Sequence, residues 1–485
     1  MAATPLEEGH SYIDGKFVAA KHRFANVNPA TEETIGTAAD CDATDMANAV
    51  DAAARAFRTS DWSHDPPFRQ HCLTQLSEML LAEQSHLDDV LIAEAGVPVS
   101  ITDSAQVGHP IREVAYWAEM AAKFDYEQGR PDNDFLGVQS ERKTLYESAG
   151  VVGAITPWNF PLFLNLGKVA PALAAGCTVV LKPAPDTPWS GTVLGRIIND
   201  TDIPAGVFNV VTSSDHLVGA ALAENPSVNL VTFTGSTRTG QSILASAPAS
   251  LRRTVLELGG KSAAIVADPE SLPLGTMATC MQAVLHAGQG CALTTRLLVH
   301  RDQLDAALET CAATMRGMPF GDPRTPGHVT GPLINERQRQ RVLGYIEQGK
   351  TEAPLLSGGG IPDGYDKGFY VEPTVFGPVP PDAVIAQEEI FGPVLVVIAY
   401  DSIDHAVEIA NGTKYGLSGA VYASDPDFAM SIAKRLRTGT VNINGGNFAG
   451  ADMAFGGYGL SGLGRECGVE GFSEFLESKA VGIAR

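Results

Sequence analysis

The chain has 485 residues, 44% of them hydrophobic and 19% charged, the balance of an ordinary globular protein large enough for two or three packed units. A formal net charge of −22 leaves no basic surplus to displace counterions from a phosphate backbone, which excludes nucleic acid as a partner. Any phosphate-binding site must instead be built locally from backbone amides and a few cations.

The first element in chain order is Tyr12-Ile13-Asp14-Gly15-Lys16-Phe17-Val18, whose alternation about Asp-Gly predicts a tight hairpin and a small opening sheet. Residues 44–126 carry a helical pattern, with Leu73, Leu76, Leu80 and Leu81 read as one stripe. Short β-branched runs at 151–155, 178–181, 207–211, 229–233 and 254–257 are each followed by a helical stretch, a rhythm that predicts a parallel sheet. A second α/β series runs from Ala263 to about Asn444, through 297–300, 394–400, 419–422 and 440–443. Segments 128–146 and 477–485 are left over as strands outside both cores. The Gly/Pro-rich stretches 317–331 and 357–368 read as surface connections.

The cysteines Cys41, Cys72, Cys177, Cys280, Cys291, Cys311 and Cys467 are odd in number, scattered and never spaced Cys-x-x-Cys, so they read as reduced thiols and call for no metal. Residues 1–10 are polar without an apolar signal core, and the apolar stretches are broken by Pro, Asn or Lys. A cytoplasmic protein with no membrane partner is expected.

Several strings carry candidate chemistry. The run 229–233 leads into Thr234-Gly235-Ser236-Thr237 and a helix, where glycine admits a diphosphate to a helix N-terminus; a bland strand-to-helix turn fits equally. Lys182 follows a strand end, where ligands of open parallel sheets bind, or is merely solvated. Asn159, inside Pro157-Trp158-Asn159-Phe160-Pro161, is a candidate donor to an oxyanion, against a packed aromatic turn. Cys291 follows Gly288-Gln289-Gly290, where a helix N-terminus would lower its pKa, although most lone cysteines are small buried hydrophobes. Glu257, between leucines at a strand end, is costly to bury unless it is partnered or functional, and a raised pKa would suit it as a general base.

With Glu388-Glu389-Ile390-Phe391-Gly392-Pro393 and the closing Phe455-Gly456-Gly457, Ser461-Gly462 and Gly464-Arg465-Glu466, these ordered strings resemble the aldehyde dehydrogenase superfamily over nearly the whole chain. The resemblance implies two Rossmann-like parallel-sheet domains and a small β oligomerisation arm. The dinucleotide-binding domain would span 1–126 and 147–256, the catalytic domain 257–448, and the arm 127–146 and 470–485. It implies that Cys291 is the nucleophile, that Asn159 and the Cys291 amide form the oxyanion hole, and that Glu257 is the general base with Lys168 and Glu466 as a proton relay behind it. Thr156, Trp158, Lys182, Gly235, Ser236 and Leu258 would shape the adenosine and diphosphate site, and Glu389 and Phe391 the nicotinamide half. Glu477 would be structural. A homodimer or homotetramer is implied, its arm pairing an exposed sheet edge with another subunit.

The chain departs from the family pattern in places. His286 stands where Asn is common, and is expected to be structural. Pro185 stands where many NAD-preferring relatives carry Glu against the adenosine ribose, so NAD is expected with NADP possible. Ala454 and Gly459 replace the usual Pro and Lys, which touches loop stiffness rather than chemistry. Trp117, Phe160, Phe163 and Phe448 offer apolar walls without a cation for a second carboxylate, so the expected substrate is an uncharged, hydrophobic aldehyde. The alternatives are a coenzyme A-acylating semialdehyde dehydrogenase, for which the hydrolytic base Glu257 would be a liability, and a noncatalytic dinucleotide-binding structural protein.

Overall fold

A computed structural model describes residues 9–247 and 251–485, so part of the polar segment 1–10 lies outside the described residues. The chain opens with β1 (Ser11–Ile13) and β2 (Lys16–Val18), which turn through Asp14 and Gly15, both at positive φ of 52° and 72° as a primed turn demands. The expected separate opening sheet is not what forms: β1 pairs antiparallel with a strand of the main sheet at Tyr12↔Val210, so the hairpin extends that sheet. A ribbon of β3 (His22–Val27) and β4 (Thr34–Asp40) follows.

The helical stretch resolves into α1 (Ala43–Thr59), α2 (Pro66–Ala82), α3 (Gln84–Ala95) and α4 (Gly108–Lys123). Asp42 and Asp45 close a reciprocal capping box that starts α1. On α2, Leu73, Leu76 and Leu80 are buried but Leu81 is 46% exposed, because its position lies about 80° around the helix from Leu73. Between α3 and α4 the residues Thr102–Gln106 form a single π-helical turn.

The predicted β/α rhythm is present: β5 (Glu127–Phe135), β6 (Val138–Ser148), β7 (Val151–Ile155), α5 (Pro161–Ala174), β8 (Thr178–Lys182), α6 (Trp189–Asn199), β9 (Phe208–Val210), α7 (His216–Glu224), β10 (Leu230–Thr234), α8 (Thr237–Ser246) and β11 (Arg253–Glu257). The second series contains β12 (Ser262–Val266), α9 (Leu272–Val284), β13 (Thr294–His300), α10 (Leu304–Arg316), α11 (Glu336–Glu352), β14 (Leu355–Ser357), β15 (Thr374–Phe376), α12 (Val384–Gln387), β16 (Val394–Tyr400), α13 (Ile403–Asn411), β17 (Gly419–Tyr422), α14 (Pro426–Ala433) and β18 (Asn442–Ile443). The chain ends with β19 (Gly462–Leu463), α15 (Gly468–Glu474) and β20 (Leu476–Ala484).

Among the described residues one sheet has the order β19-β11-β10-β7-β8-β9-β1-β2, a second β14-β15-β16-β13-β12-β17-β18, and a third β20-β6-β5. In the first sheet Val179 and Leu181 enter one hydrophobic core while Val180 enters another; in the second, Ala263 and Ile265 oppose Ala264 and Val266. Each large sheet is therefore buried on both faces, which explains its nearly continuous apolar strands. Each fully buried Val, Leu or Ile contributes roughly 1.5–3 kcal/mol. The leftover segments form the third sheet, and Glu477 on β20 pairs with Arg253 at 3.1 Å. No helix among the described residues is long and apolar enough to cross a membrane.

Candidate active site

Strands β8, β7, β10 and β11 are parallel neighbours, so the residues that follow them collect along one edge, where open α/β sheets bind ligands. That edge carries Lys182, Thr156 to Phe160, Gly235 and Ser236, and Glu257. Only the turn 258–261 separates β11 from β12, so this edge adjoins the starts of the second sheet's strands. Those starts present Cys291 ahead of β13, and Glu389 and Phe391 ahead of β16.

Hydrogen bonds and ring contacts join the two sides. Asn159 Nδ2 donates to the Gln289 carbonyl at 2.8 Å, leaving its second N–H for another acceptor. The Trp158 and Phe391 rings meet edge to face at 5.4 Å, and the Gly260 amide donates to Glu389 Oε1 at 2.9 Å. A Cβ on Gly260 would lie 2.7 Å from the Cys291 carbonyl, so the glycine is what allows the nucleophile loop to approach.

Cys291 does not stand at a helix N-terminus as expected; it follows a short 3-10 turn (Leu285–Gly288) and precedes β13. No helix dipole therefore lowers its pKa. Burial, followed by the charges of Glu257 and Glu389, pushes the thiol up to about 12. Glu257 is 1% exposed, and neither carboxylate oxygen has a hydrogen-bond partner. Burial, and then the like charge of Glu466, raises its pKa well above the usual carboxylate range, with Lys168 acting in the opposite direction. Lys168 is ion-paired with Glu466 and donates to Thr232 Oγ1 at 3.1 Å. The structure thus brings Glu257, Lys168 and Glu466 together.

The dinucleotide half fits a cofactor on its own geometry. Ser236 caps α8, its Oγ accepting from the Thr239 amide at 3.3 Å, and the Gly235 amide donates to the Glu257 carbonyl at 3.0 Å. Leu258 sits where any Cβ on Gly240 would collide with it at 2.6 Å, which packs α8 tightly against the sheet. The Thr156 amide donates to the Lys182 carbonyl at 3.2 Å and its hydroxyl to Asn165 at 2.7 Å, pinning two strand ends. Lys182 Nζ donates only to the carbonyls of Ser213 (3.2 Å) and Pro183 (3.3 Å), and burial lowers its pKa to about 8. Such an under-satisfied ammonium suits ribose or phosphate oxygens. Glu389, its pKa raised to about 7 by burial, is a ready acceptor for hydroxyls.

The aromatic walls divide. Phe160, Phe163 and Phe448 are half-buried. Trp117 is 2% exposed and stacked on Phe472, inside the core, so it offers no face to a ligand. Its place on the inner stripe of α4 with Val114, Ala118 and Ala121 accounts for this. Phe163 stacks on His109, which faces Glu113 at 3.1 Å. Burial lowers the His109 pKa and raises that of Glu113 to about 7. Gln106, Glu113, the Gln338 amide on the Phe391 carbonyl (2.8 Å) and Arg341 on the Glu389 carbonyl (2.8 Å) escape sequence reasoning, since no motif marks them.

Comparison with known proteins agrees with this geometry. The model of the aldehyde dehydrogenase family matches residues 17–481. The geranial dehydrogenase of Castellaniella defragrans is 37% identical over 98% of this chain and 99% of its own. Among solved structures, a Pseudomonas syringae aldehyde dehydrogenase C variant in complex with NAD+ and octanal is 38% identical with a TM-score of 0.92, covering 97% of this chain and 96% of its own. A Mycobacterium tuberculosis aldehyde dehydrogenase complexed with NAD+ is likewise 38% identical, with a TM-score of 0.94 over 99% of this chain and 98% of its own. A cysteine, an unpartnered buried carboxylate and a cross-cleft amide on two adjoining parallel sheets thus come with near full-length similarity, and the chain belongs to the aldehyde dehydrogenase family.

Proposed function

We propose that this enzyme oxidises an uncharged, hydrophobic aldehyde to the free carboxylic acid with NAD+, through a thioester on Cys291. The observation that carries the reading is the meeting of Asn159, the Cys291 loop and the unpartnered Glu257 carboxylate at one cleft. The thiol releases its proton to solvent, the sulfur attacks the carbonyl carbon, a C–S bond forms and the C=O π pair moves onto oxygen. The resulting oxyanion is held by the free N–H of Asn159 and the Cys291 amide. Lys182, the α8 N-terminus, Glu389 and Phe391 would hold the nicotinamide cofactor, which would accept the hydride as the C–H bond of the adduct breaks and the carbonyl re-forms. The thioester left on Cys291 is attacked by water whose proton passes to Glu257, the C–S bond breaks and the acid leaves. Lys168 and Glu466 carry that proton away from Glu257.

Half-buried Phe160, Phe163 and Phe448 support an uncharged substrate. The relatives named for geranial and bound to octanal point the same way. Glu257 favours water over coenzyme A as the thioester acceptor. A panel of aldehydes assayed with each cofactor, and repeated on Cys291→Ala, tests the reading. Highest kcat/KM for succinate semialdehyde, acyl-coenzyme A as the main product, or strict NADP dependence would each overturn the part concerned.

The sheet memberships support a dinucleotide-binding unit of 1–126 and 147–256, a catalytic unit of 257–448 and an arm of 127–146 and 470–485. In the arm β5 is an edge strand, and Phe135 and Leu136 at its tip are 69% and 88% exposed, which supports pairing with a second subunit. Light scattering should give a homodimer or homotetramer. The seven cysteines are all free thiols, which supports a cytoplasmic setting.

A further inference from the structure

The single π-helical turn Thr102–Gln106 interrupts the path from α3 to α4, and such turns recur at functional sites. Its last residue, Gln106, is fully buried, and Gln106 Nε2 donates to the backbone carbonyl of Asn159 at 3.1 Å. His286, also fully buried, brings its ring near the backbone of Asn159 and packs it edge-on against Phe160 at 5.7 Å. Neither His286 ring nitrogen has a partner of good geometry, and Gln106 Oε1 is also unpaired. Leaving buried polar atoms unpaired is costly, so the retention of Gln106 and His286 beside Asn159 calls for a role.

The backbone of the nucleophile loop is strained at this point. His286, Ala287 and Gly288 lie at φ of 48°, 55° and 71°, three successive left-handed residues, of which only the glycine adopts that region freely. Gln289 clamps the turn: its amide N–H and Nε2 both donate to the His286 carbonyl, at 3.2 and 3.1 Å, and its Oε1 accepts from Ile334 at 2.9 Å. The Gln289 carbonyl then receives Asn159 Nδ2. Asn159 is thus held at its backbone by Gln106, at its side chain by the nucleophile loop, and at its flank by the Phe160–His286 contact.

We propose that Gln106 and His286 are positioning residues of the oxyanion hole, fixing the Asn159 carboxamide so that its free N–H points at the substrate oxygen. This rests on the oxyanion role given to Asn159 above. Gln106 supplies direction through its hydrogen bond to the Asn159 carbonyl. His286 supplies a ring that packs against Phe160 without bringing a charge, since burial holds its pKa down to about 4. Phe160, next in sequence to Asn159, transmits that contact.

The test is a pair of double-mutant cycles, Gln106→Met and His286→Asn, each alone and combined with Asn159→Ala. The readout is the pre-steady-state burst of reduced cofactor and kcat/KM per titrated thiol, with the dissociation constant for NAD+ as a check of folding. Gln106→Met is expected to lower kcat/KM by about ten- to a hundred-fold beside intact Asn159 and by less than about threefold in the Asn159→Ala background, with NAD+ affinity unchanged. His286→Asn, a short polar residue tolerant of the left-handed region but without the ring, is expected to behave in the same way, while His286→Phe, which keeps the ring packing against Phe160, is expected to retain most of the rate. Equal losses in both backgrounds would mean that these residues only stabilise the fold and would overturn the inference. Should Gln106→Met not fold, the His286 cycle decides by the same criterion. If Asn159→Ala alone costs nothing, the oxyanion reading fails instead, separately from this one.

Discussion

Lys168 and Glu466 form an ion pair inside the protein, and Glu257 lies within the field of both. The pair is assembled from residues almost three hundred positions apart, Lys168 on α5 and Glu466 in the loop whose amide and carbonyl bridge Phe455 at 2.7 Å. The Glu466 charge raises the Glu257 pKa and the Lys168 charge lowers it. Because hydrolysis of the thioester needs Glu257 unprotonated, its rate should rise with pH through the Glu257 pKa. Glu466→Gln should move that rise to lower pH and Lys168→Met to higher pH, read from single-turnover deacylation. Lys168→Met also leaves Glu466 buried without a counter-charge, at a cost of about 3–5 kcal/mol in chemical denaturation. Shifts of the two variants in the same direction would contradict the arrangement.

The Cys291 thiol, pushed up to about 12, should be a poor nucleophile before substrate and cofactor arrive. Its pKa is raised, so the protonated form dominates below it, and the thiolate fraction grows about tenfold per pH unit. Alkylation of the free enzyme by iodoacetamide, followed at Cys291 by peptide mapping, is expected to climb from pH 7 to pH 10 without levelling. A plateau near pH 8 would mean that an activating group has been missed.

Glu94 on α3 is fully buried, and its two oxygens accept from the backbone amides of Trp189 (2.9 Å) and Ser190 (3.0 Å), the first residues of α6. Burial raises its pKa to about 8. The folded state therefore holds this proton at pH values where the unfolded chain has lost it, and the stability linked to Glu94 falls as pH rises from about 4.5 towards 8. Glu94→Gln should flatten that decline relative to the parent in denaturant titrations at pH 5 and pH 8. Glu94→Ala, which strands both amides, should cost about 2–5 kcal/mol at either pH.

The repeated strand–helix rhythm was legible because parallel strands buried on both faces leave continuous β-branched runs, and 151–155, 394–400 and 419–422 match their strands end to end. The edge of the first sheet was legible too, since the ligand-facing residues must follow its strands. What a pattern could not reveal is pairing at a distance. The opening hairpin joins the main sheet through Tyr12, and β19 returns to pair with β11 from more than two hundred residues away. Trp117 was misread because an aromatic on an amphipathic helix looks alike in sequence whether it faces a cleft or the core. The helix expected after Cys291 failed for a different reason: the segment is held in its left-handed turn by Gln289, which propensity does not report.

Gly259 provides a test of the cofactor half. It lies between Leu258, packed under α8, and Gly260, whose amide holds Glu389 Oε1. A Cβ on Gly259 would overlap the Glu389 carboxylate, with Cδ at 2.6 Å. The backbone of Gly259 is not at positive φ, so Gly259→Ala introduces no conformational strain of its own and the collision is the whole effect. The carboxylate must swing out of the position from which it accepts ribose hydroxyls. Loss of a hydrogen bond to a charged acceptor is worth about 1.5–3 kcal/mol, so NADH affinity measured by fluorescence titration should fall by roughly ten- to a hundredfold. Unchanged NADH affinity in a folded Gly259→Ala protein would remove Glu389 from the cofactor site.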